Sequence, residues 1–193
     1  VLGLKLPTDP RWAEIAEKSI AEILVDHAFC EQKAASSCIS LIVQYPDYPR
    51  IVQELSPIVT EEWGHFRAVL EEMSKRDIAL GPQRSDEYVV ALLAFQPRGL
   101  SREQKLLERL LCCALIEARS CERFRLLSLH CSDADLRRFY HAFMVSEAGH
   151  YRLFMDLAEG YFPKDEVRNR WEAYLQYEAG VMEQFSNRSG RIH

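Results

Sequence analysis

Apolar residues recur at steps of three and four along most of this chain, a period that predicts helices almost throughout. Asp9-Pro10 reads as an N-cap with proline at the first helical position. From there a line of Leu24, His27, Glu31, Ala34, Cys38 and Leu41 runs to Tyr45-Pro46, predicting a helix over 10–45. After Pro49 a second stripe, Ile51, Leu55, Ile58, Glu62, His65, Val69 and Met73, predicts a helix over 50–78 that fades before Gly81-Pro82. Ser101-Arg102-Glu103-Gln104 has the form of a capping box. It opens a helix over 101–130 carrying Leu106, Leu110, Cys113, Glu117, Cys121, Phe124 and Leu127 on one face. Ser132-Asp133 restarts the chain over 132–159 with Phe139, Phe143, Glu147, His150, Phe154 and Leu157. A further helix over 164–186 carries Trp171, Tyr174, Leu175 and Met182, and the polar tail from Asn187 is expected to fray.

The links set the topology. Those at 46–49 and 131–132 are short, which makes the helices they join antiparallel neighbours. The stretch from 82 to 100 is longer, with one small helix expected over Tyr88–Phe95 before Pro97-Arg98-Gly99. One long crossover between two antiparallel pairs predicts an all-α, ferritin-like four-helix bundle with an additional C-terminal helix, built as a single domain over 1–193.

Composition narrows the function classes. The chain has 193 residues and is 48% apolar, enough for a sizeable core, and its eight glycines and eight prolines leave little room for loops. No apolar run approaches the ~20 residues of a membrane helix. Val1-Leu2-Gly3-Leu4-Lys5 lacks the charged and apolar regions of a signal peptide, so a cytoplasmic protein is expected. A net charge of −5 argues against a nucleic-acid binder that uses its whole surface, while leaving local basic patches open. The six cysteines at 30, 38, 112, 113, 121 and 131 form no C-x-x-C pair and read as small reduced core residues.

The chemistry lies in two quartets, Glu62-Trp63-Gly64-His65 and Glu147-Ala148-Gly149-His150. Glu31 precedes the first quartet by 31 residues (62 − 31), and Glu117 precedes the second by 30 (147 − 117). Positions i and i+3 share a helix face, so each quartet can aim a carboxylate and an imidazole at one point. One such quartet alone is weak evidence. Two, each with an upstream Glu at matched spacing and in phase with a core stripe, form the ligand set of a two-metal carboxylate site. Ionised carboxylates inside a bundle cost several kcal/mol each unless paired or bound to a cation, and two divalent metals balance four of them. Carboxylate oxygens with two imidazoles suit iron or manganese, and the lack of positioned thiolates disfavours structural zinc.

Other polar residues leave two readings each. His27, one turn before Glu31, is a satisfied core histidine or a partner of that ligand. Glu122 pairs with a neighbouring arginine or orients a ligand. His130 and His141 read as surface residues. Arg98, Arg102, Lys105 and Arg109 surround the start of the third long helix. Arg119, Arg123 and Arg125 continue along it, and Arg137 and Arg138 follow near the next. They form solvated helix faces or a phosphate-contacting patch. Phe29, Phe66, Phe143 and Phe154 are core or the walls of a cleft.

The segments Asp26-His27-Ala28-Phe29-Cys30-Glu31-Gln32-Lys33-Ala34-Ala35, Glu62-Trp63-Gly64-His65, Ile116-Glu117-Ala118-Arg119 and Ser146-Glu147-Ala148-Gly149-His150 resemble the MiaE family of tRNA 2-methylthio-isopentenyl-adenosine hydroxylases. The likeness covers nearly the whole chain, including Phe95-Gln96-Pro97, with no departure at the six ligand positions. It implies a non-haem di-iron monooxygenase that uses O2 and two electrons to hydroxylate the isopentenyl group of the modified adenosine beside the anticodon. Glu31, Glu62, His65, Glu117, Glu147 and His150 would be the catalytic iron ligands, with Glu62 and Glu147 bridging. The implied partners are the modified tRNA, contacted through Arg98, Arg102, Lys105 and Arg109, and a reductase or electron-transfer protein as external electron donor. No membrane is implied, and a monomer is expected. The competing expectations are a ferritin-like iron oxidation or storage protein and a di-manganese catalase. The absence of a C-x-x-C module disfavours a rubrerythrin-type peroxidase.

Overall fold

The computed structural model describes residues 2–83, 85–185 and 192; the tail from Asn187, apart from Ile192, lies outside the described residues. Seven α-helices and no strands are present among them: α1 (Arg11–Lys18), α2 (Ile20–Gln44), α3 (Pro49–Ser74), α4 (Glu87–Ala94), α5 (Arg102–His130), α6 (Ala134–Tyr161) and α7 (Lys164–Phe185). None is long and apolar enough to cross a membrane. The chain divides into two compact units, one built on Ile15–Ser85 and the other on the residues up to Glu14 and from Asp86 onward.

The Ile15–Ser85 unit is a pair, α2 packed on α3. Four residues join them, held by the Tyr48 amide donating to the Tyr45 carbonyl at 3.1 Å and by edge-on packing of the two tyrosine rings. The expected stripes are its interior, with Leu24, Cys38, Leu41, Ile51, Leu55, Val69 and Met73 buried. Two boundaries differ from the periodicity. The expected helix over 10–45 breaks at Ser19, whose φ of −121° and ψ of 33° leave the helical basin. Serine holds a helix weakly, and the apolar spacing runs across the break, so the period alone could not reveal it. The next helix ends at Ser74 rather than 78. Asp77 takes a φ of 55°, and the Ile78 amide reaches back to the Met73 carbonyl at 3.0 Å. A short polar side chain tolerates this left-handed turn better than most.

The second unit pairs α5 with α6 and adds α4 and α7. The expected capping box forms at Ser101 and Gln104. Asp133 caps α6, while Arg137 donates to the carbonyls of Cys131 and Ser132 at 2.6 and 2.9 Å and closes the end of α5. The small helix expected over Tyr88–Phe95 is α4, capped by Asp86. It meets α7 through Phe95, whose ring stacks on Tyr177 at 4.3 Å. Arg170 lies over Phe95 at 4.3 Å and donates to both oxygens of the buried Glu108.

From Leu106 to Leu127 α5 is buried on nearly every side, as a helix enclosed all round must be. Its second face carries Arg119 and Arg123, which are 0% and 2% exposed. This corrects their assignment to a basic surface run. Arg119 pairs with Glu178 of α7 and with Glu122, and donates to Thr8 Oγ1 at 3.1 Å and to the Leu6 carbonyl at 3.0 Å. Burial works against the Arg119 charge, but Glu178, Tyr88 and Glu122 hold its pKa above the ordinary value. Arg123 lies 4.5 Å over the Trp12 ring; burial and the neighbouring Arg119 charge bring its pKa down to about 10, so it remains cationic at neutral pH.

Candidate metal centre

Each compact unit holds one carboxylate–imidazole triad at the middle of its helix pair. In the first, α2 supplies Glu31 and α3 supplies Glu62 and His65, whose donor atoms lie within 4.8 Å of one another. His65 Nδ1 stands 3.3 Å from a carboxylate oxygen of Glu31 and 3.3 Å from one of Glu62. Glu31 and Glu62 are buried and His65 is nearly so, because all three ride the stripes that bury Leu24, Ile58 and Val69. In the second unit α5 supplies Glu117 and α6 supplies Glu147 and His150, again within 4.8 Å and all buried. His150 Nδ1 is 3.4 Å from Glu147. The i, i+3 spacing of each quartet therefore does in the fold what helix geometry predicts.

His27 is buried and places Nε2 2.7 Å from Glu31 Oε1, so it is the partner of that carboxylate. One turn of helix brings the two together. A histidine holding a metal-ligating group fixes its orientation, and loss of such a partner costs roughly 10–100-fold in metal affinity. If Glu31 holds a metal ion, His27→Ala is accordingly expected to weaken metal binding by about that factor without removing it. Competition against a chelator of known affinity measures the change, and unaltered affinity would deny His27 the role.

Glu122 adopts the pairing expected of it. It binds Arg119 and accepts from Thr8 Oγ1 at 2.7 Å, on the side of α5 away from the stripe that carries Glu117. Cys121 lies on that stripe and donates to the Met144 carbonyl at 3.4 Å. Burial and the Glu147 charge push its thiol up to about 11, so it stays protonated and is a poor ligand. All six cysteines are free, and four are buried. His130 and His141 are exposed. Phe29, Phe66, Phe143 and Phe154 are buried within a turn of the triads and give them apolar surroundings. Arg98, Arg102 and Lys105 are exposed and Arg109 is partly buried. Along α5, Arg109 and Arg102 lie about 12 and 22 Å from Glu117 at 1.5 Å per residue.

The buried network of Arg119, Glu178, Tyr88 and Thr8 is not among the sites expected from the sequence. The signal available was the second apolar line of α5, Leu107, Leu111, Leu115 and Ala118, which leads directly into Arg119.

The family model described as tRNA-(MS2IO6A)-hydroxylase (MiaE) matches residues 2–193. The tRNA 2-(methylsulfanyl)-N(6)-isopentenyladenosine(37) hydroxylase of Pseudomonas putida is 39% identical over 167 residues, covering 85% of this chain and 78% of that protein. The Salmonella typhimurium protein of the same name is 27% identical over 205 aligned positions, covering 81% and 75%. Among solved structures, a Synechococcus protein with aldehyde deformylating oxygenase activity matches with a TM-score of 0.88 at 35% identity, over 93% of this chain and 88% of that one. The all-α, ferritin-like class expected from the sequence is the class observed.

Proposed function

The chain belongs to the MiaE family, and from that membership we propose that it is an O2-dependent non-haem di-iron monooxygenase acting on tRNA. Its substrate is the isopentenyl group of 2-methylthio-isopentenyl-adenosine next to the anticodon. The observation that carries this reading is the doubled triad. Two units of a chain from a tRNA-hydroxylase family each bury two carboxylates against an imidazole, with donor atoms within 4.8 Å.

The residues fit two ferrous ions. Glu31, Glu62, Glu117 and Glu147 supply four negative charges, two dications neutralise them, and His65 and His150 add one nitrogen to each half. Glu31, Glu62 and His65 of one unit and Glu117, Glu147 and His150 of the other would be the residues that hold the iron. When bound, the irons supply O2 activation and hydroxyl transfer to an unactivated C–H bond. The chain's own residues do the rest. His27 fixes the Glu31 carboxylate, Cys121 keeps its proton and stays out of the ligand set, and the buried phenylalanines keep water from the triads. The overall change inserts one oxygen atom of O2 into the prenyl C–H bond and reduces the other to water. It consumes two protons and two electrons, which an electron-transfer protein delivers.

Phosphate contact is assigned to the exposed Arg98, Arg102 and Lys105 with the half-buried Arg109. Reversing Arg102 and Lys105 to Glu should weaken tRNA binding and reduce the salt dependence by about two charges. Unchanged affinity and salt slope would remove these residues from the interface.

The direct test mixes the iron-loaded, reduced protein with O2 and tRNA carrying the modified base, then weighs the nucleosides after digestion. Gain of one oxygen atom is the expected result. Oxygen consumption without any gain in nucleoside mass would overturn the hydroxylase reading and favour iron oxidation and storage.

A further inference from the structure

The two ligand quartets belong to a longer repeat, Glu62-Trp63-Gly64-His65-Phe66-Arg67 and Glu147-Ala148-Gly149-His150-Tyr151-Arg152. Five of the six positions match in type. The second position does not, for it holds Trp63 in one copy and Ala148 in the other. A tryptophan there is therefore no requirement of the ligand motif. The aromatic rings of the repeat differ in their neighbours in the same way. Tyr151 packs at 5.9 Å against Trp171, which α7 brings to it. Phe66 is buried and meets Trp63 of its own helix at 4.9 Å. Trp63 remains 49% exposed and is the one aromatic residue among the exposed large apolar side chains described.

Its surroundings decide what such a ring suits. On α3 the exposed neighbours are Thr60, Glu61, Gly64 and Arg67, so Trp63 is a single aromatic face in polar ground rather than part of an apolar patch. A contiguous exposed apolar patch would mark a protein-docking surface, and the exposed residues beside Trp63 on α3 do not form one. An unpaired nucleobase needs only one π face, with a cation beside it for the phosphate. Arg67 lies one turn beyond Trp63 and is exposed on the same side. Glu62 is the residue immediately before Trp63, so indole and carboxylate leave the helix from Cα atoms about 3.8 Å apart, turned by about 100°.

We propose that Trp63 is a stacking platform for an unpaired base of the tRNA anticodon loop, with Arg67 contacting the adjoining phosphate. The surface positions the substrate nucleoside beside the ligands of α3. This inference rests on the tRNA-hydroxylase reading and adds to it the residue that holds the loop.

The test uses the iron-loaded full chain and an anticodon stem–loop RNA carrying the modified adenosine. Trp63→Ala should raise both Kd and KM about tenfold, while Trp63→Phe, which keeps a ring, should raise them no more than about threefold. Arg67→Ala should lower the salt slope of binding by about one charge. Iron per chain should be unchanged in all three. Trp63→Ala values within about twofold of the original, with turnover intact, would overturn the stacking role and leave the hydroxylase reading standing. Loss of iron in Trp63→Ala would also overturn it, by making the residue a support for Glu62 and His65. If the unaltered chain neither binds nor hydroxylates this RNA, the hydroxylase reading falls and the inference falls with it.

Discussion

Glu62→Ala should bring the iron content down from two ions per chain to one or none and abolish hydroxylation, a larger loss than the ~10–100-fold expected from removing an outer partner such as His27. Glu62 is 1% exposed, and its Oε2 lies 3.3 Å from His65 Nδ1. Glu62 would be one of the residues that hold the metal, so its removal takes away a buried carboxylate donor. Stability should move the other way in the absence of metal. Glu31 and Glu62 are two buried carboxylates with ligand atoms within 4.8 Å, and such like charges repel unless a cation or a proton intervenes. Metal-free Glu62→Ala should therefore melt no lower than the metal-free parent, while iron should stabilise the parent more than the variant. His150→Ala tests the other triad by the same iron and turnover measurements. Full iron occupancy and normal turnover in either variant would reject that residue as a ligand.

Arg119→Ala should be the most destabilising single change outside the triads. Its guanidinium is fully buried and donates to Glu178 Oε1 at 2.8 Å, and Glu178 is itself 0% exposed. Removing the cation leaves Glu178 and Glu122 buried without the guanidinium that binds both, which costs about 3–5 kcal/mol. At ~2–4 °C per kcal/mol for a chain of this size, the melting temperature should fall by roughly 6–20 °C. The pair as a whole is worth far less than the penalty for breaking it. Arg119→Met combined with Glu178→Leu should accordingly recover much of the loss. A thermal melt within about 2 °C of the parent for Arg119→Ala would show that the network contributes little to the fold.

These two predictions differ in how far the sequence could foresee them. Glu62 is legible because a helix repeats every 3.6 residues, so a carboxylate and an imidazole three apart in mid-stripe must share a buried face. The same spacing makes Glu147, His65 and His150 candidates, the matched upstream distances add Glu31 and Glu117, and the short links predict the packed pairs α2–α3 and α5–α6. Arg119 was read as one of a line of surface cations. Its partners are Glu178, 59 residues away, and Thr8, 111 residues away. Periodicity shows a second apolar line on α5 but cannot say which distant segment covers it.

By itself, then, the sequence determined the helical class, the six candidate ligands, the capping box at Ser101 and the family. Each is written in local spacing or in runs of residue identity. Tertiary structure alone decided which charges are surface and which are structural, turned His27 from an ambiguous core histidine into the holder of Glu31, and left Trp63 half exposed while Phe66 beside it is buried. The reason is common to all three. A side chain's burial and partners depend on segments brought together by folding, and local pattern carries only the half of each contact that lies on its own helix.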